Sequence, residues 1–258
     1  MQKIEQLYRR DYAGEHVNVV GRYSGARWHY DKEFISNPFD NVPLSNTAIV
    51  TGNGITREQV NLKLVMPFRN SSSFGEHGPW WPTGCMRRFN TYGCNALYRD
   101  FRPDFLVGTG PDMIKELVES GYCDDNVVYA SKQMVAEHPG KFLLVPQDPQ
   151  WNAGSIATYM AAFDGHKKVF MIGFDGVDSD DNSYNIYAGT NAYMEPSDVK
   201  LEHYWEMSML QVFNAYPDVE FIRVAPTDCF RVPEEWKYCL NYRTASFRQF
   251  VLEADIGY

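Results

Sequence analysis

Short apolar runs recur along the chain from residue 47 onward, separated by polar and helix-like stretches. They lie at Thr47–Val50, Phe105–Val107, Asn126–Tyr129, Phe142–Val145, Lys168–Ile172 and Val219–Val224. Runs that stay apolar without alternating with polar residues are typical of strands buried on both faces of a parallel sheet. The pattern therefore predicts a strand at each of these places.

Helical patterns fill several of the gaps between the predicted strands, at Pro111–Ser120, Ser155–Asp164 and Leu201–Ala215. Pro111 suits the first turn of a helix, where a missing N–H loses no intrahelical partner. Gly165 suits the end of the second helix, where a left-handed residue is favoured. Strands that alternate with helices of this length predict an α/β fold, with a Rossmann-like, mostly parallel sheet flanked by helices.

The chain before residue 47 is expected to be irregular, apart from one short strand at Asn18–Val20, because glycines and turn-forming residues interrupt it. We therefore predict an N-terminal extension over residues 1–46 and one nucleotide-sugar-binding α/β domain over residues 47–258. A stretch at about residues 176–200, which contains tyrosines and glycine, is predicted to form a lid.

Composition limits the compartment and the partners. No apolar run in the 258 residues approaches the roughly 20 residues of a membrane span, and the charged N-terminus lacks the apolar stretch of a signal peptide. Five cysteines without CxxC spacing fit reduced thiols, so we expect a cytoplasmic protein. The net charge of −9 argues against a nucleic-acid partner. A local basic cluster nevertheless exists at Arg87, Arg88, Arg99 and Arg102.

Glycines follow two of the predicted strands at the edge where open α/β sheets bind ligands, outside the carboxyl ends of the strands. Gly52-Asn53-Gly54 follows the first strand, and Gly173-Phe174-Asp175 follows a later one. The first tripeptide would let backbone N–H groups approach a phosphate, and Asn53 adds an amide donor. It is neither the dinucleotide GxGxxG nor a P-loop, and such a tripeptide is more often a tight turn.

Two further segments are candidates for ligand contacts. Arg88–Asn95 is rich in amides near a glycine, so that Asn90 and Asn95 are candidates to bind a base or ribose, although the segment equally suits a polar loop. Ala153 and Gly154 open a predicted helix, and a helix N-terminus favours an anion. An ordinary capped helix has the same pattern.

The acidic run from Asp175 to Asp181 and the residues after it complete the candidates. Clustered carboxylates suit Mg²⁺ or Mn²⁺, but a solvated loop is the commoner explanation of such a run. Tyr184 and Tyr187 follow within the predicted lid. His203, near the start of a predicted helix, is a candidate general base, although a lone histidine is more often structural.

In their order and spacing these motifs resemble the bacterial sialyltransferases of glycosyltransferase family 42, which build lipooligosaccharide outer cores. The match runs from about Thr47 to Thr227, through a strand with Gly-Asn-Gly, a tyrosine-bearing lid and a histidine. The other matching elements are Cys94-Asn95, Ala153-Gly154, Gly165-His166-Lys167, Gly173-Phe174-Asp175 and Ala225-Pro226. A related glycine-rich signature occurs in flagellin-modifying motility accessory factors and archaeal pterin pyrophosphokinases.

The resemblance implies a GT-A-like variant of the fold and a role for single residues. Tyr184 and Tyr187 are implied to bond the leaving phosphate, and His203 to take the proton from the acceptor hydroxyl. Contacts to the donor nucleotide are implied for Gly52, Asn53, Gly54, Asn95, Ala153, Gly154, Gly173 and Asp175. The chain departs from the family at Gly110-Pro111, where the family has Asn-Pro, and at Ala153, where it has Ser.

The implied activity is an inverting glycosyltransferase that moves a sugar from a nucleotide-activated donor to a hydroxyl of a glycan or another acceptor. It implies no cofactor beyond the nucleotide sugar and no catalytic metal. Donor, acceptor and homo-oligomer formation stay open. One alternative is glycosylation of hydroxylated bases in viral DNA, for which the arginine cluster would have to flank the cleft. Another is a Mg²⁺-dependent pyrophosphokinase or a nucleotide-binding module.

Overall fold

The computed structural model describes residues 46–66, 89–138, 140–176, 185–193, 204–226 and 231–256, together with the backbone of the three N-terminal strands. These strands are β1 (Gln2–Tyr8), β2 (Val17–Ser24) and β3 (Arg27–Glu33). They form an antiparallel sheet in the order β1-β2-β3. The domain boundary at residue 46 stays a prediction.

The expectation of an irregular N-terminal segment with a single short strand is wrong. Gly21, which interrupts the sequence pattern, lies within β2 and pairs with Ile4 on one side and Tyr30 on the other. A glycine weakens a strand by its conformational freedom, but pairing with a strand on each side holds it extended. Local propensity alone does not contain that information.

The remaining described strands form one sheet of eight. They are β4 (Thr47–Thr51), β5 (Phe89–Cys94), β6 (Phe105–Val107), β7 (Val128–Ala130), β8 (Leu143–Leu144), β9 (Lys168–Ile172), β10 (Glu220–Val224) and β11 (Tyr242–Ala245). Their spatial order is β11-β10-β9-β4-β5-β6-β7-β8, and each adjacent pair is parallel. The predicted α/β fold with a parallel, Rossmann-like sheet is confirmed.

Helices connect the strands, and three of them correspond to predicted ones. They are α1 (Pro111–Glu119), α2 (Tyr122–Asp125), α3 (Lys132–Glu137), α4 (Ala153–Phe163), α5 (Tyr204–Ala215) and α6 (Phe247–Glu253). The predicted helices are α1, α4 and α5, the last described from Tyr204 onward. Gly165 follows α4 with φ of 91°, which confirms the left-handed residue predicted there. No helix in the described ranges has the length and apolarity to span a bilayer.

The segment predicted as a polar loop or base-binding stretch at Arg88–Asn95 is instead mostly β5, a central strand. Asn90 is only 2% exposed within this strand, which leaves almost none of its surface for a ligand. Polar residues are accommodated because they find partners inside: the Thr91 N–H donates to Asp104 at 2.9 Å, and the Asp104 N–H donates to the Thr91 hydroxyl at 2.9 Å. A strand whose polar groups are satisfied by tertiary contacts does not show the apolar run that marks its neighbours.

Both faces of the parallel sheet are covered, and two apolar clusters fill the space. Along β4, Ile49 belongs to one cluster, whereas Ala48 and Val50 belong to the other. Helix α1 contributes Met113, Ile114 and Leu117 to the first cluster, and α4 and α5 contribute to the second. Burial on both faces is the reason that the strands are continuously apolar.

The order of strands places a crevice at one point of the sheet. From β4 the chain steps outward through β5, β6, β7 and β8, and then returns to the other side of β4 to form β9, β10 and β11. The connections leaving β4 and β9 therefore diverge to opposite sides. Ligands of open α/β sheets bind in the crevice that such a switch point creates at the carboxyl ends of the strands.

Candidate functional site

A cavity of about 260 Å³ lies at this switch point. Its wall combines residues after β4, β5 and β9 with the start of α4, two residues of the segment 185–193 and one residue of α5. The lining residues are Gly52, Asn53, Gly54, Cys94, Asn95, Asn152, Ala153, Gly154, Gly173, Phe174, Asp175, Gly176, Asn185, Tyr193 and Trp205. The cavity thus brings together all eight residues for which the family resemblance implies contacts to the donor nucleotide, whereas the other candidate, Asn90, is not in the lining. Their contacts with a ligand stay a prediction.

The glycines after β4 and β9 let the two strand ends touch backbone to backbone. The Gly52 N–H donates to Ile172 O at 2.8 Å, and the Gly54 N–H donates to Gly173 O at 2.9 Å. A Cβ on Gly52 would lie 2.5 Å from Gly173 O, which no side chain can tolerate. Gly173 itself has φ of 72°, a left-handed conformation that favours glycine. Because the N–H groups of Gly52 and Gly54 are used within the fold, these two glycines shape the cavity and leave Asn53 as the polar residue of the turn.

Arg57, which sequence reasoning did not single out, lies buried behind this turn. Its guanidinium donates to Gly52 O at 3.3 Å and to Asn53 Oδ1 at 3.2 Å. It also pairs with Asp100 at 3.2 Å and accepts no bond itself. The Asn53 amide therefore presents its oxygen to Arg57 and its NH₂ to the Tyr193 hydroxyl, at 2.8 Å.

Asp175 is buried and holds the chain after the Gly-Asn-Gly turn. Its carboxylate accepts from the Thr56 N–H at 2.9 Å and also from the Thr56 hydroxyl. Burial raises the pKa of Asp175 above its ordinary value, while the two bonds from Thr56 act in the opposite direction. A Cβ on Gly54 would collide with this carboxylate. Asp175 thus sets the position of the turn from the opposite wall.

The N-terminus of α4 faces the cavity and is capped. Asn152 Oδ1 accepts from the Ser155 N–H at 3.0 Å, which satisfies one of the free donors of the first turn. Gly154 lies against Phe174, since a Cβ there would be 3.2 Å from the ring. The remaining N–H groups and the helix dipole make this end of the cavity favourable for an anion.

Asn95 begins the short 3₁₀ helix after β5 and lines the opposite side. It has φ of 47°, an uncommon conformation that asparagine adopts more readily than most residues. Its Oδ1 accepts from the Thr109 N–H at 2.9 Å, which fixes the amide. Cys94 beside it also lines the cavity, and burial raises the pKa of its thiol to about 12. At neutral pH it is therefore a neutral thiol and not a nucleophile.

The described part of the predicted lid, residues 185–193, is bound to the body of the domain. Asn185 forms an antiparallel bridge with Gly54, and the Ile186 N–H donates to Asn53 O at 2.9 Å. At the other end, Arg99 donates to the Thr190 hydroxyl at 2.7 Å and to Asn191 O at 2.8 Å. The segment thereby presents two lining residues, Asn185 and Tyr193.

Arg99 is itself held by Glu116 of α1 through two bonds of 2.7 Å each. These bonds are the main reason that the pKa of Glu116 is lowered to about 2. Arg102 donates to Asp125 O at 3.1 Å, while Arg87 and Arg88 lie outside the described residues. The described members of the basic cluster therefore bond to protein groups and are absent from the cavity lining.

Tyr187 is placed away from the cavity lining. Its hydroxyl donates to Asp100 and accepts from Arg57 at 2.6 Å, and the Arg57 and Arg99 guanidinium carbons lie 4.9 and 5.3 Å from its ring centre. Burial raises the pKa of Tyr187, although Arg57 acts in the opposite direction. In this arrangement Tyr187 connects the segment 185–193 to the residues behind the Gly-Asn-Gly turn.

Two predicted catalytic residues, Tyr184 and His203, lie outside the described residues. Each is close in sequence to a lining residue: Tyr184 precedes Asn185, and His203 lies two positions before Trp205. Trp205 was missed by sequence reasoning, and Asn152 and Tyr193 were not predicted to line the site. An aromatic residue soon after the candidate base was the only signal for Trp205.

The described lining has a distinct chemical character. It carries four amide side chains, one tyrosine hydroxyl and one carboxylate, and it contains no lysine, arginine or histidine. No group of three His, Cys, Asp or Glu side chains that could hold a metal occurs among the described residues. Within these residues, negative charge on a ligand would be met by amides, backbone N–H groups and the N-terminus of α4.

No protein-family model and no curated protein matches the chain. Among solved structures, the monofunctional alpha-2,3-sialyltransferase Cst-I from Campylobacter jejuni is 12% identical over 79% of this chain and 84% of its own, with a TM-score of 0.45. The sialyltransferase CstII from Campylobacter jejuni, in complex with cytidine-5'-monophosphate, is 11% identical over 70% of this chain and 81% of its own, with a TM-score of 0.38. At TM-scores this low the likenesses carry no argument about function.

Proposed function

We propose that the chain is a glycosyltransferase of the sialyltransferase-like kind, which transfers a sugar from a nucleotide-activated donor to an acceptor hydroxyl with inversion. The observation that carries the proposal is the cavity at the switch point between β4 and β9. It joins the Gly-Asn-Gly turn, the N-terminus of α4 and the Gly-Phe-Asp turn in one wall. These are the motifs on which the sequence resemblance rests.

The chemistry of the described lining favours a donor with a single phosphate. A diphosphate brings at least one more negative charge, and sites for it commonly supply Lys, Arg or a divalent metal. The described lining offers amides and a helix N-terminus, which is worth about half a positive charge. Its one carboxylate, Asp175, already accepts two bonds from Thr56. A nucleoside monophosphate sugar, such as a CMP-sugar, fits this set best.

In the proposed mechanism His203 is the general base. It takes the proton of the acceptor hydroxyl while the acceptor oxygen bonds to the anomeric carbon of the donor sugar. The bond from that carbon to the phosphate oxygen breaks, and the nucleoside monophosphate leaves with the electron pair. Tyr184 and the N-terminus of α4 stabilise the charge that develops on the phosphate. The aromatic rings of Phe174 and Trp205 in the lining offer flat surfaces for a base.

Thermal unfolding with nucleotides tests the nucleotide-binding part of this proposal. The wild type is heated with CMP, UMP, CDP, UDP, GDP or ADP, each with and without Mg²⁺. A ligand present at about 100 times its Kd adds roughly 2.7 kcal/mol to the free energy of unfolding. We expect CMP to raise Tm without Mg²⁺. A rise with diphosphates and Mg²⁺ alone would contradict a monophosphate donor and favour a metal-dependent enzyme, and no rise with any ligand would contradict the proposal.

Replacement of His203 tests the catalytic part. We expect His203→Ala to lower turnover by about 10²–10⁴-fold, because the acceptor hydroxyl loses its base, while Tm and CMP binding stay near wild type. Turnover is followed as release of CMP from a CMP-sugar in the presence of a panel of glycan acceptors. The matched control is His138→Ala, which removes a different histidine, at the C-terminal end of α3. This variant should keep wild-type turnover. A folded His203→Ala protein with less than a tenfold loss would remove His203 from the mechanism.

A further inference from the structure

Tyr193 lies where the segment 185–193 meets the ends of β4 and β5. Its hydroxyl oxygen is 2.8 Å from Asn53 Nδ2, in the turn after β4, and 3.4 Å from the backbone nitrogen of Ala96, just after β5. Both neighbouring turns contribute to the cavity lining, and so does Tyr193. The hydroxyl therefore joins three parts of the wall at one atom.

The direction of these hydrogen bonds follows from groups that can only donate. A guanidinium has no acceptor, so the Asn53 amide must turn its oxygen toward Arg57, at 3.2 Å. Its NH₂ group then faces Tyr193 and donates to the hydroxyl oxygen. The Ala96 N–H is likewise a donor only, and it bonds to the same oxygen.

The tyrosine hydroxyl is thereby left as a donor. A phenol oxygen has two lone pairs and one proton, and the groups that bond to it from Asn53, Ala96 and Asn95 are donors that share the lone pairs. Among the described residues, no acceptor bonds to its proton. Burial raises the pKa of Tyr193 to about 12, so the proton is present at neutral pH. The hydrogen bonds from Ala96, Asn95 and Asn53 act in the opposite direction, as bonds accepted by the phenol oxygen do.

We propose that Arg57 is a positioning residue that sets the direction of hydrogen bonding in the cavity: by fixing the Asn53 amide, it makes Tyr193 donate its proton to an acceptor-only group of the ligand, a phosphate oxygen. The inference rests on the proposed function for the identity of that group. Arg57 touches no ligand in this scheme, since its side chain is 4% exposed and lies behind the turn. Its effect passes through Asn53 to Tyr193.

A double-mutant cycle tests the scheme. Isothermal titration gives Kd values for CMP and cytidine, and for UMP and uridine, with the wild type and with Tyr193→Phe, Arg57→Met and the double variant. Because a hydrogen bond to a charged group is lost, we expect each single variant to weaken monophosphate binding at least about tenfold relative to the matching nucleoside. The double variant should lose no more than the single ones, since Arg57 acts through Tyr193.

Two further variants separate positioning from a general loss of structure. Arg57→Lys keeps a donor to Asn53 Oδ1 and should recover part of the preference for the monophosphate. Tyr98→Phe removes another buried hydroxyl, which bonds to Glu116 at 2.6 Å, and should leave the preference at the wild-type value. If Arg57→Met does not fold, Arg57→Gln replaces it in the cycle, because a neutral amide can accept as well as donate and no longer fixes the direction of the Asn53 amide.

Each outcome has a distinct consequence. An equal loss for monophosphate and nucleoside, or additive losses in the double variant, would overturn the inference and leave the proposed function intact. An unchanged preference in Tyr193→Phe would do the same. Failure of the wild type to bind either monophosphate would overturn the monophosphate donor, and this inference with it.

Discussion

At the scale of single residues, the cavity depends on glycines that let the ends of β4 and β9 approach each other. Gly54 has φ of −69°, which any residue can adopt, so its requirement is steric and not conformational. A Cβ there would lie 2.7 Å from Gly173 O and would also meet the Asp175 carboxylate. The close approach sets the shape of the wall that a ligand would meet.

We expect Gly54→Ala to lower the free energy of unfolding by about 1–3 kcal/mol, because the added methyl group must displace one of these neighbours. It should also weaken the stabilisation by CMP, measured as the rise in Tm. Gly140→Ala is the matched control: its φ of 77° disfavours alanine, but nothing lies within 4 Å of the added Cβ. The control should lose stability and keep its response to CMP. Equal CMP responses in the two variants would show that the contact does not shape the site.

At the scale of elements, the N-terminus of α4 combines a structural and an electrostatic role in one residue. Asn152 caps the helix and lines the cavity. Aspartate caps a helix as well as asparagine does, but it adds a negative charge. The two roles can therefore be separated by substitution.

We expect Asn152→Asp to keep the wild-type Tm and to weaken CMP binding by about tenfold, because the carboxylate repels the phosphate. Asn152→Ala should cost about 0.5–2 kcal/mol of stability through the lost cap. Ser246→Ala, which removes the cap of α6 far along the chain, is the control that should lose stability without losing CMP affinity. Undiminished CMP binding by Asn152→Asp would show that no anion lies at this helix end.

The attachment of residues 185–193 to the domain is a second property at this scale. Arg99 bonds to Thr190 and Asn191, and Glu116 holds Arg99. A carboxyl whose pKa in the folded protein is lowered contributes stability that is present above its ordinary pKa and is lost as pH falls toward the lowered value. For Glu116 this interval runs from 4.5 down to about 2.

We therefore expect Glu116→Gln to have a lower Tm than the wild type at neutral pH, with a difference that narrows as pH falls through this interval. Thermal unfolding of both proteins across a pH series gives the measurement. Glu119→Gln is the control and should keep a Tm near that of the wild type at every pH. Glu119 pairs with Lys115 at 3.8 Å, but both side chains are largely exposed, so this pair contributes little to stability. A difference between Glu116→Gln and the wild type that stays constant with pH would contradict the ion pair as its cause.

At the scale of the whole molecule, the net charge of −9 opposes the approach of an anionic nucleotide. Salt screens this repulsion over a Debye length of about 10 Å at 0.1 M. We expect the association rate of CMP, measured by stopped flow, to rise modestly as NaCl increases from about 20 to 150 mM. A rate that falls as NaCl increases would contradict this expectation.

Binding to duplex DNA that is tight at low salt and falls steeply with salt would favour the alternative of a DNA-modifying enzyme.

Local pattern was sufficient for much of the fold. Strands buried on both faces must be continuously apolar, which located β4, β6, β9 and β10 nearly to the residue. Residues typical of helix ends located helices in the same way: Pro111 lies at the start of α1, and Gly165 follows the end of α4. β5, β11 and most of the N-terminal sheet were not predicted. For β5 and β2 the reason is tertiary, because Thr91 finds Asp104 and Gly21 finds two neighbouring strands only in three dimensions.

The candidate site likewise has one part that the sequence predicts and another that only the tertiary structure decides. Ligands of open α/β sheets bind outside the carboxyl ends of the strands, so the glycine-containing turns after β4 and β9 could be chosen as candidates from the sequence. That the two turns are neighbours follows only from the strand order of the folded sheet. The residues that contact those turns could be identified only in the folded structure. Arg57 bonds to Asn53 from behind the turn, Asp175 lies against Gly54, and the Tyr193 hydroxyl bonds to the Asn53 amide. No spacing rule relates residues more than a hundred positions apart, such as Asn53 and Tyr193, because their contact depends on how the intervening chain folds back.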